Sequence, residues 1–551
     1  MNVIPVPFKS SILRQITQLR IMMGNKKLQV WLPLIFAVVM IIGMVFGYKL
    51  GSQNGNSKGF FASNNRSSLQ EAIDLIKMRY VDSVHIDSLE GKAIQQLMNG
   101  LDPHSVYLPP VDVKEANEDL AGNFEGIGVE FNIFSDTVNV VYVIPNGPSD
   151  KAGLLIGDKI VAVNNTSLAQ KASSIDSIKK YIRGERGSKA VLQVLRENKP
   201  QTITVTRGTI PVPTVDAAYM IDKTTGYIKL NKFTDNSYEE FMQAMENLQK
   251  LGLQSLIFDL RGNGGGFMNE AVDMADEFLG GDKLIVYTEG VNNKKREYRC
   301  KRPGLFEKGK LVLLVDEFSA SASEVLAGAL QDWCRATIIG RRTFGKGLVQ
   351  EQYPLSDGSA LRLTVARYYT PLGRSIQRSY GKGKKVYIDD IEERYNSGEM
   401  ISVDSIRNHN GGQKFMTGCK DTLYGADGIT PNVFVPLDTT RMQRKIVQVL
   451  NDGNLNQTVY FYYLKNRQRI DQYSSAADFA RQFNTVDMWD GFVRYPGNSM
   501  AFEIITGKEK ELLSLRLKAM LAKYKWRNSG FYQVLNSEDI VIKKAMEFIA
   551  K

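Results

Sequence analysis

Cysteine and histidine are both scarce in this chain of 551 residues, at three each. Cys300, Cys334 and Cys419 cannot make a disulfide framework, and their spacing is far from any zinc-site pattern, which excludes disulfide and structural-metal scaffolds as main themes. His85, His104 and His409 leave little material for an imidazole-based centre, and no metal or cofactor is expected. An excess of one charge is missing where it would matter. The net charge is +11, but residues 1–29 hold five basic side chains and no acid, and residues 441–551 hold 18 basic against 11 acidic, leaving 47 basic and 48 acidic residues between them. A nearly neutral body lacks the electrostatic footprint of a nucleic-acid binder, so no nucleic-acid partner is expected. What remains is an ordinary globular composition, 43% hydrophobic and 23% charged. The chain is longer than the roughly 250–300 residues at which one core stops growing, which predicts several domains.

One apolar run stands out. Leu28–Tyr48 is 21 uncharged residues, among them Leu34, Phe36, Val39, Ile42 and Phe46, enough to span a bilayer. Basic residues precede it, so the positive-inside rule places 1–29 in the cytoplasm and the remainder across the membrane. A cleaved signal peptide is the weaker reading, because the run exceeds the usual 7–15 or so apolar residues and no A-x-A site follows directly. The expectation is an anchor at 30–48 and a Gly/Ser/Asn-rich linker at 49–65. Helical spacing of Leu69, Ile73 and Ile76, then of Ile94, Leu97 and Met98, predicts an N-terminal helical region over 66–117, with an Asp102-Pro103 turn in which His104 is a turn residue.

From Glu118 the period becomes that of strands: Ile127–Phe131, Val138–Val143, Lys159–Asn164, and Ala190–Val194 paired with Thr202–Val205. The run Phe124-Glu125-Gly126-Ile127-Gly128 before a strand, with Ala152-Gly153 and Gly157-Asp158 downstream, resembles a PDZ domain, expected at 118–207. In such domains a glycine loop, here Phe124, Gly126, Ile127 and Gly128, aims backbone amides at a peptide's terminal carboxylate while the next strand accepts the peptide by β-addition. A small β domain with glycine turns is the plainer alternative.

Two later stretches carry chemistry. The buried-type strand Leu256–Arg261 enters Gly262-Asn263-Gly264-Gly265-Gly266, where bare amides at a sheet edge can hold an anion, though a tight turn explains the run equally well. A second strand, Leu311–Asp316, leads to Ser319-Ala320-Ser321-Ala322-Ser323-Glu324 and an apolar helix. A hydroxyl at such a turn is a candidate nucleophile, and the helix N-terminus favours developing negative charge. Helix capping accounts for one of the three serines but not for all of them. Gly340–Lys346 also fits G-x-x-x-x-G-K, which keeps a P-loop nucleotide hydrolase as an alternative. Against it, Gly347 stands where a Ser or Thr should bind magnesium, and Leu348–Tyr353 reads as strand.

Read in order, Leu101–Leu108, the PDZ segment, Asp259–Gly266, Ser319–Glu324, Thr343–Gln350 and Ala366–Pro371 resemble the carboxy-terminal processing, or tail-specific, serine peptidases, over about Ser68 to Leu437. The resemblance implies a crotonase-like α/β core of ββα units at 208–440 with an inserted PDZ domain. It implies Ser321 as nucleophile, Lys346 as general base and Gln350 as the residue orienting the lysine. The amide of Ala322 and one from Gly264 or Gly265 would form the oxyanion hole, and Glu324, Asp332 and Thr343 match supporting positions. A Ser/Lys pair needs no histidine, and burial away from carboxylates would lower the lysine pKa far enough for it to accept a proton. Asp427 stands where glycine is commoner in the family. The basic helical extension at 441–551, with Ile446, Val449 and Leu450 and then Leu512–Leu521 at helical spacing, resembles the tails of longer members, and dimerisation, partner binding and covering the site all stay open for it. The expected protein is a single-pass inner-membrane peptidase with its catalytic part in the periplasm, acting on protein or peptide substrates with free C-termini. An inactive, membrane-anchored PDZ scaffold is the alternative from another class.

Overall fold

A computed structural model describes residues 26–53, 67–134, 136–168, 174–402, 413–451, 453–494, 505 and 507–551. The chain divides into two compact units, Met1–Glu90 and Gly91–Lys551. In the first unit the apolar run lies in the helix Lys26–Gln53, which contains Pro33 and exposes Trp31, Leu34, Phe36, Ile41 and Phe46. Among the described residues no helix is long and apolar enough to cross a membrane. Residues 1–25 of the expected cytoplasmic segment, most of the expected linker, and several side chains of the expected anchor lie outside the described residues. A second helix, Ser68–Arg79, starts where Ser67 accepts the Gln70 N–H at 3.3 Å, a side-chain cap that satisfies one orphan donor.

The first sheet of the second unit is built from β1 (Val129–Phe134), β2 (Thr137–Val143), β3 (Lys159–Val163), β4 (Lys189–Arg196) and β5 (Lys199–Thr206) in the order β1-β2-β3-β4-β5. Val138, Val140, Ile160, Leu192, Val194 and Val205 bury one set of alternating side chains against Ile178 and Ile182 of helix α1 (Ile175–Ile182). Ser174 caps that helix, accepting from Ser177 N at 3.1 Å. Strand β1 is left at the sheet edge.

The second sheet runs β6 (Val215–Met220), β7 (Thr225–Leu230), β8 (Ser255–Asp259), β9 (Lys310–Val315), β10 (Thr337–Gly340), β11 (Val433–Phe434), with β7 through β11 parallel. All of β8 and all of β9 except Lys310 are buried, as expected of parallel strands covered on both faces. One face packs on Ser237–Lys250, Met268–Asp276 and α2 (Ala322–Asp332). A third sheet carries Val106–Leu108 beside Ala360–Tyr369, which also pairs with Leu348–Pro354.

Among the described residues beyond 440 the regular elements are helices, in keeping with the periodicity. Helices α3 (Asn454–Asp471) and α4 (Gly507–Asn536) enclose a core of their own with Phe479, Phe483, Phe492, Leu513, Leu517 and Leu521. The final helix, α5 (Ile540–Ala550), does something else. Its Val541, Ile542 and Ala545 close the second face of the parallel sheet over Tyr227, Ile257, Val312, Leu314 and Ile339. Cys334 and Cys419 are bonded to each other across 85 residues, while Cys300 is free and buried. Three cysteines do not make a framework, but two of them make one cross-link, which their separation in sequence did not indicate.

Candidate active site

Strands β8 and β9 are parallel neighbours, so the segments leaving their C-terminal ends emerge side by side: Leu260–Gly266 from one, Asp316–Ser321 from the other. Hydrogen bonds sew them together. Gly262 N donates to Asp316 Oδ1 at 2.8 Å, and Ala320 N donates to the Asn263 carbonyl at 3.0 Å. Two of the three serines belong to this seam. Ser319 Oγ donates to Leu260 O at 2.9 Å and Ser323 Oγ to Asn263 O at 2.9 Å, both from fully buried positions. The remaining serine, Ser321, stands at the N-cap of α2 with φ 56° and ψ −114°, a conformation costly for a residue with a Cβ and characteristic of sites where strain is held by its surroundings.

Ser321 lines a cavity of about 570 Å³ together with Gly264, Gly265, Ala322, Lys346 and Gln350. A Cβ on Gly265 would lie 2.8 Å from Ser321 Cβ and 2.9 Å from Ala322 N, so glycine there is what lets the loop close on the serine. Gly265 N donates to Asn263 Oδ1 at 2.9 Å. Gly264 is different: a Cβ built on it meets nothing within 4 Å, and its amide, like that of Ala322, has no acceptor among the described residues.

Lys346 reaches the cavity from the loop after β10. Its Nζ donates to Gln350 Oε1 at 2.9 Å, and Gln350 Nε2 in turn donates to the His104 carbonyl at 2.7 Å. Burial pushes the amine pKa down, helped by the Arg362 guanidinium and opposed by Glu324 and Asp102. The Asp102 turn is what presents the His104 carbonyl: Asp102 Oδ1 accepts from His104 N at 2.8 Å and Ser105 N at 2.9 Å. The His104 ring itself turns away to Tyr387 Oη at 2.8 Å, and burial holds its pKa down to about 4.

Glu324 binds the two halves of the site. Its carboxylate accepts from Ser321 N at 2.9 Å, Gly345 N at 2.8 Å, Lys346 N at 2.8 Å and Thr343 Oγ1 at 2.5 Å. Desolvation raises its pKa to about 7 against the pull of these donors. Thr343 Oγ1 also accepts from Ile429 N at 2.7 Å. Asp332 lies at the far end of α2, pairing with Arg374 at 2.6 Å and accepting from Leu372 N; it buttresses the turn after Ala360–Tyr369 rather than touching the cavity.

Sequence reasoning passed over two contributors. Asn263 sits within the glycine run and fixes it through both its amide oxygen and its carbonyl. The Tyr368 hydroxyl lies within hydrogen-bonding reach of the carbonyls of both Ser321 and Lys346 and can donate its one proton to either, and an aromatic inside a strand gives no sign of such a role. The expected peptide-binding residues are placed apart from this cavity. Phe124 and Gly126 belong to Asn123–Gly126, which pairs with Gly208–Pro211 outside the β1–β5 sheet, and Ile127 and Gly128 are buried between that pair and β1. The P-loop alternative fails on hydrogen bonding as well as sequence, because the amides of Gly345 and Lys346 are aimed at an internal carboxylate and the loop continues into a strand, Leu348–Pro354.

Residues 224–385 match peptidase family S41, residues 126–206 match a PDZ domain, and residues 446–527 match a family of unknown function. A carboxy-terminal-processing protease of Bartonella bacilliformis is 33% identical over 313 residues, 56% of this chain and 71% of that one. The carboxy-terminal processing protease CtpA of Bacillus subtilis is 32% identical over 350 residues, 63% of this chain and 74% of that one. Among solved structures, a photosystem II D1 C-terminal processing protease is similar over 68% of this chain and 90% of its own, at 26% identity and a TM-score of 0.34.

Proposed function

Since the chain belongs to the carboxy-terminal-processing serine peptidases of family S41, we propose that it cuts peptide bonds with Ser321 as nucleophile and Lys346 as general base, on substrates recognised by their C-terminal tails. The observation carrying this reading is the single cavity holding the strained Ser321, the buried Lys346 amine, and the uncommitted amides of Ala322 and Gly264. Neutral Lys346 Nζ takes the Ser321 hydroxyl proton as Oγ attacks the scissile carbonyl, and the two amides receive the oxyanion. The ammonium then gives that proton to the departing amine, and water, deprotonated by the same lysine, releases the acyl group and restores the serine. Gln350 holds the amine without supplying a charge that would favour its protonated form. Gly264 is favoured over Gly265 for the oxyanion hole because the latter's N–H is spent on Asn263.

The PDZ segment would engage the free C-terminus of a protein substrate, with β1 as the edge that accepts an added strand. Residues 30–48 would anchor the enzyme in the inner membrane, with the catalytic part in the periplasm. The basic residues before the run support that orientation, and the Cys334–Cys419 bond suits an oxidising compartment.

The test compares wild type with Ser321→Ala on an unfolded protein ending in an apolar tail. Cleavage by the first alone is expected; equal cleavage by both removes the nucleophile assignment, and none by either makes the chain an inactive scaffold. Amidating the substrate's C-terminus should slow cleavage below saturation, and equal rates for amide and free acid would remove tail recognition.

A further inference from the structure

The C-terminal extension lies over the groove between β1 and α1. At one end Phe134 packs on Tyr460 and Phe461, with ring centroids 5.4 and 6.1 Å apart, and Ile156 joins the extension's core. At the other end α4 leaves helical geometry at Arg527, φ 55° and ψ −153°. That break directs the guanidinium to the Glu130 carboxylate and over the Tyr142 ring, 3.3 Å from its centroid. A non-glycine residue in this region is strained and persists only where its contacts over-determine it. Between these two docking points the helices do not fill the groove. A cavity of about 410 Å³ remains, floored by β1 and α1 and roofed by Val459, Met520, Lys523 and Tyr524. The roof is packed from behind: Val459 is fully buried and Tyr524 stacks on Tyr463 at 4.5 Å.

Its lining is apolar along the strand edge and cationic along one side. Lys179, Lys523 and Arg527 face it, against the single carboxylate of Glu130. Glu130 is shared by two of these cations, and Lys523 Nζ is 3.9 Å from it, the outer limit of an ion pair. Lys179 pairs with Asp176 at 3.2 Å, outside the cavity lining. The charge lining the cavity is therefore unbalanced toward positive.

We propose that the extension supplies the third wall of the peptide groove, so that a substrate tail adds to the β1 edge beneath the roof and Lys523 and Arg527 select tails carrying an acidic side chain upstream of an apolar C-terminal residue. This rests on the tail-recognition reading above and adds the feature of the tail that is recognised. The main chain of the tail pairs with β1, its apolar side chains take the Val129, Phe131 and Met520 surface, and its carboxylate takes the place beside Lys523 that Glu130 fills only in part.

The experiment uses the full chain carrying Ser321→Ala, so that probes stay intact, and labelled eight-residue peptides identical except for Glu, Gln or Lys at one internal position, each as free acid and as amide. Fluorescence anisotropy reads affinity. The Glu peptide should bind roughly fivefold tighter than the Gln peptide, with Lys weaker still, a range set by partly exposed ion pairs. Raising salt should shrink the difference. Lys523→Glu, on an accessible part of α4, should abolish or invert the preference among the Glu, Gln and Lys peptides, and Met520→Trp should weaken every peptide by filling the cavity. Unchanged preference in Lys523→Glu, or unchanged binding in Met520→Trp, overturns the proposal. Equal binding of acid and amide forms overturns terminal-carboxylate recognition, while the Glu/Gln/Lys series still decides the role of the roof.

Discussion

Three backbone amides and one hydroxyl converge on the two carboxylate oxygens of Glu324. A carboxylate has two accepting oxygens; an amide has one and turns donors toward donors. Glu324→Gln is therefore expected to cost roughly 100-fold in kcat through misplacement of Ser321 and Lys346, a loss typical of disturbed electrostatic preorganisation. The same residue carries a pH signature. Its folded pKa of about 7 lies above the ordinary 4.5, so its contribution favours the fold fully below pH 4.5, declines as pH rises, and is lost above about 7, on the order of 3 kcal/mol in all. Denaturation of wild type and Glu324→Gln at several pH values should show wild type losing its relative advantage across that window. Lys346 makes the complementary case. The base form fills as pH rises, so activity should climb along a limb lower in pH than an ordinary lysine would give, and Gln350→Glu, by stabilising the ammonium, should move the limb upward. Lys346→Ala and Lys346→Arg should both lose cleavage as completely as Ser321→Ala, the arginine because guanidinium stays protonated; an active arginine variant would overturn the general-base role. Asp427, where glycine is commoner in the family, sits at φ 57°, and aspartate is among the residues that accept this region at modest cost.

At the scale of elements, the strands that deliver the site were readable because parallel, doubly buried strands are written as unbroken apolar runs. Leu256–Phe258 and Leu311–Val315 are such runs, and the small residues that follow at 262–266 and 319–323 mark where the chain stops being sheet and exposes backbone. What the pattern could not supply is which donors are already spent. Gly264 and Gly265 are identical in sequence terms and separated only by the Asn263 side chain. The Asp102 turn was likewise legible as a turn, while its use as a carbonyl strut for Gln350 depends on a contact 246 residues away. The disulfide belongs here too. It ties the end of α2 to the loop between Lys414–Met416 and Thr422–Tyr424. Replacing both cysteines by serine should lower stability by about 2–4 kcal/mol, read as a shift in denaturant midpoint that reductant reproduces in wild type and not in the variant.

On the scale of the whole molecule, the term extension fits residues 441–551 poorly. Their helical character was plain from periodicity, but nothing local distinguishes α5, which serves the catalytic sheet, from the helices before it, which enclose their own core. The distinction comes from long-range partners such as Val541 against a strand more than 200 residues earlier. Arg261, immediately before the glycine run, pairs with Asp259 and also with Asp539 at the start of α5 at 2.9 Å, so the tail reaches the loop that flanks Ser321. Ile542→Asp, placing a charge at a residue that is only 3% exposed, should cost about 3 kcal/mol or more and be seen as a fall in melting temperature. Removing 540–551 should yield aggregated protein rather than a smaller active enzyme.

The position of α5 also sets an order of events during synthesis. A chain emerges N-terminus first and its domains ordinarily fold in that order. Here the β1–β5 domain can mature early, but the sheet that carries Ser321 keeps one apolar face bare until residues 540–550 have been made. A peptidase assembled this way ripens late. While its own polypeptide is still being extended, unfolded and full of cleavable bonds, the machinery to cut it is not yet complete.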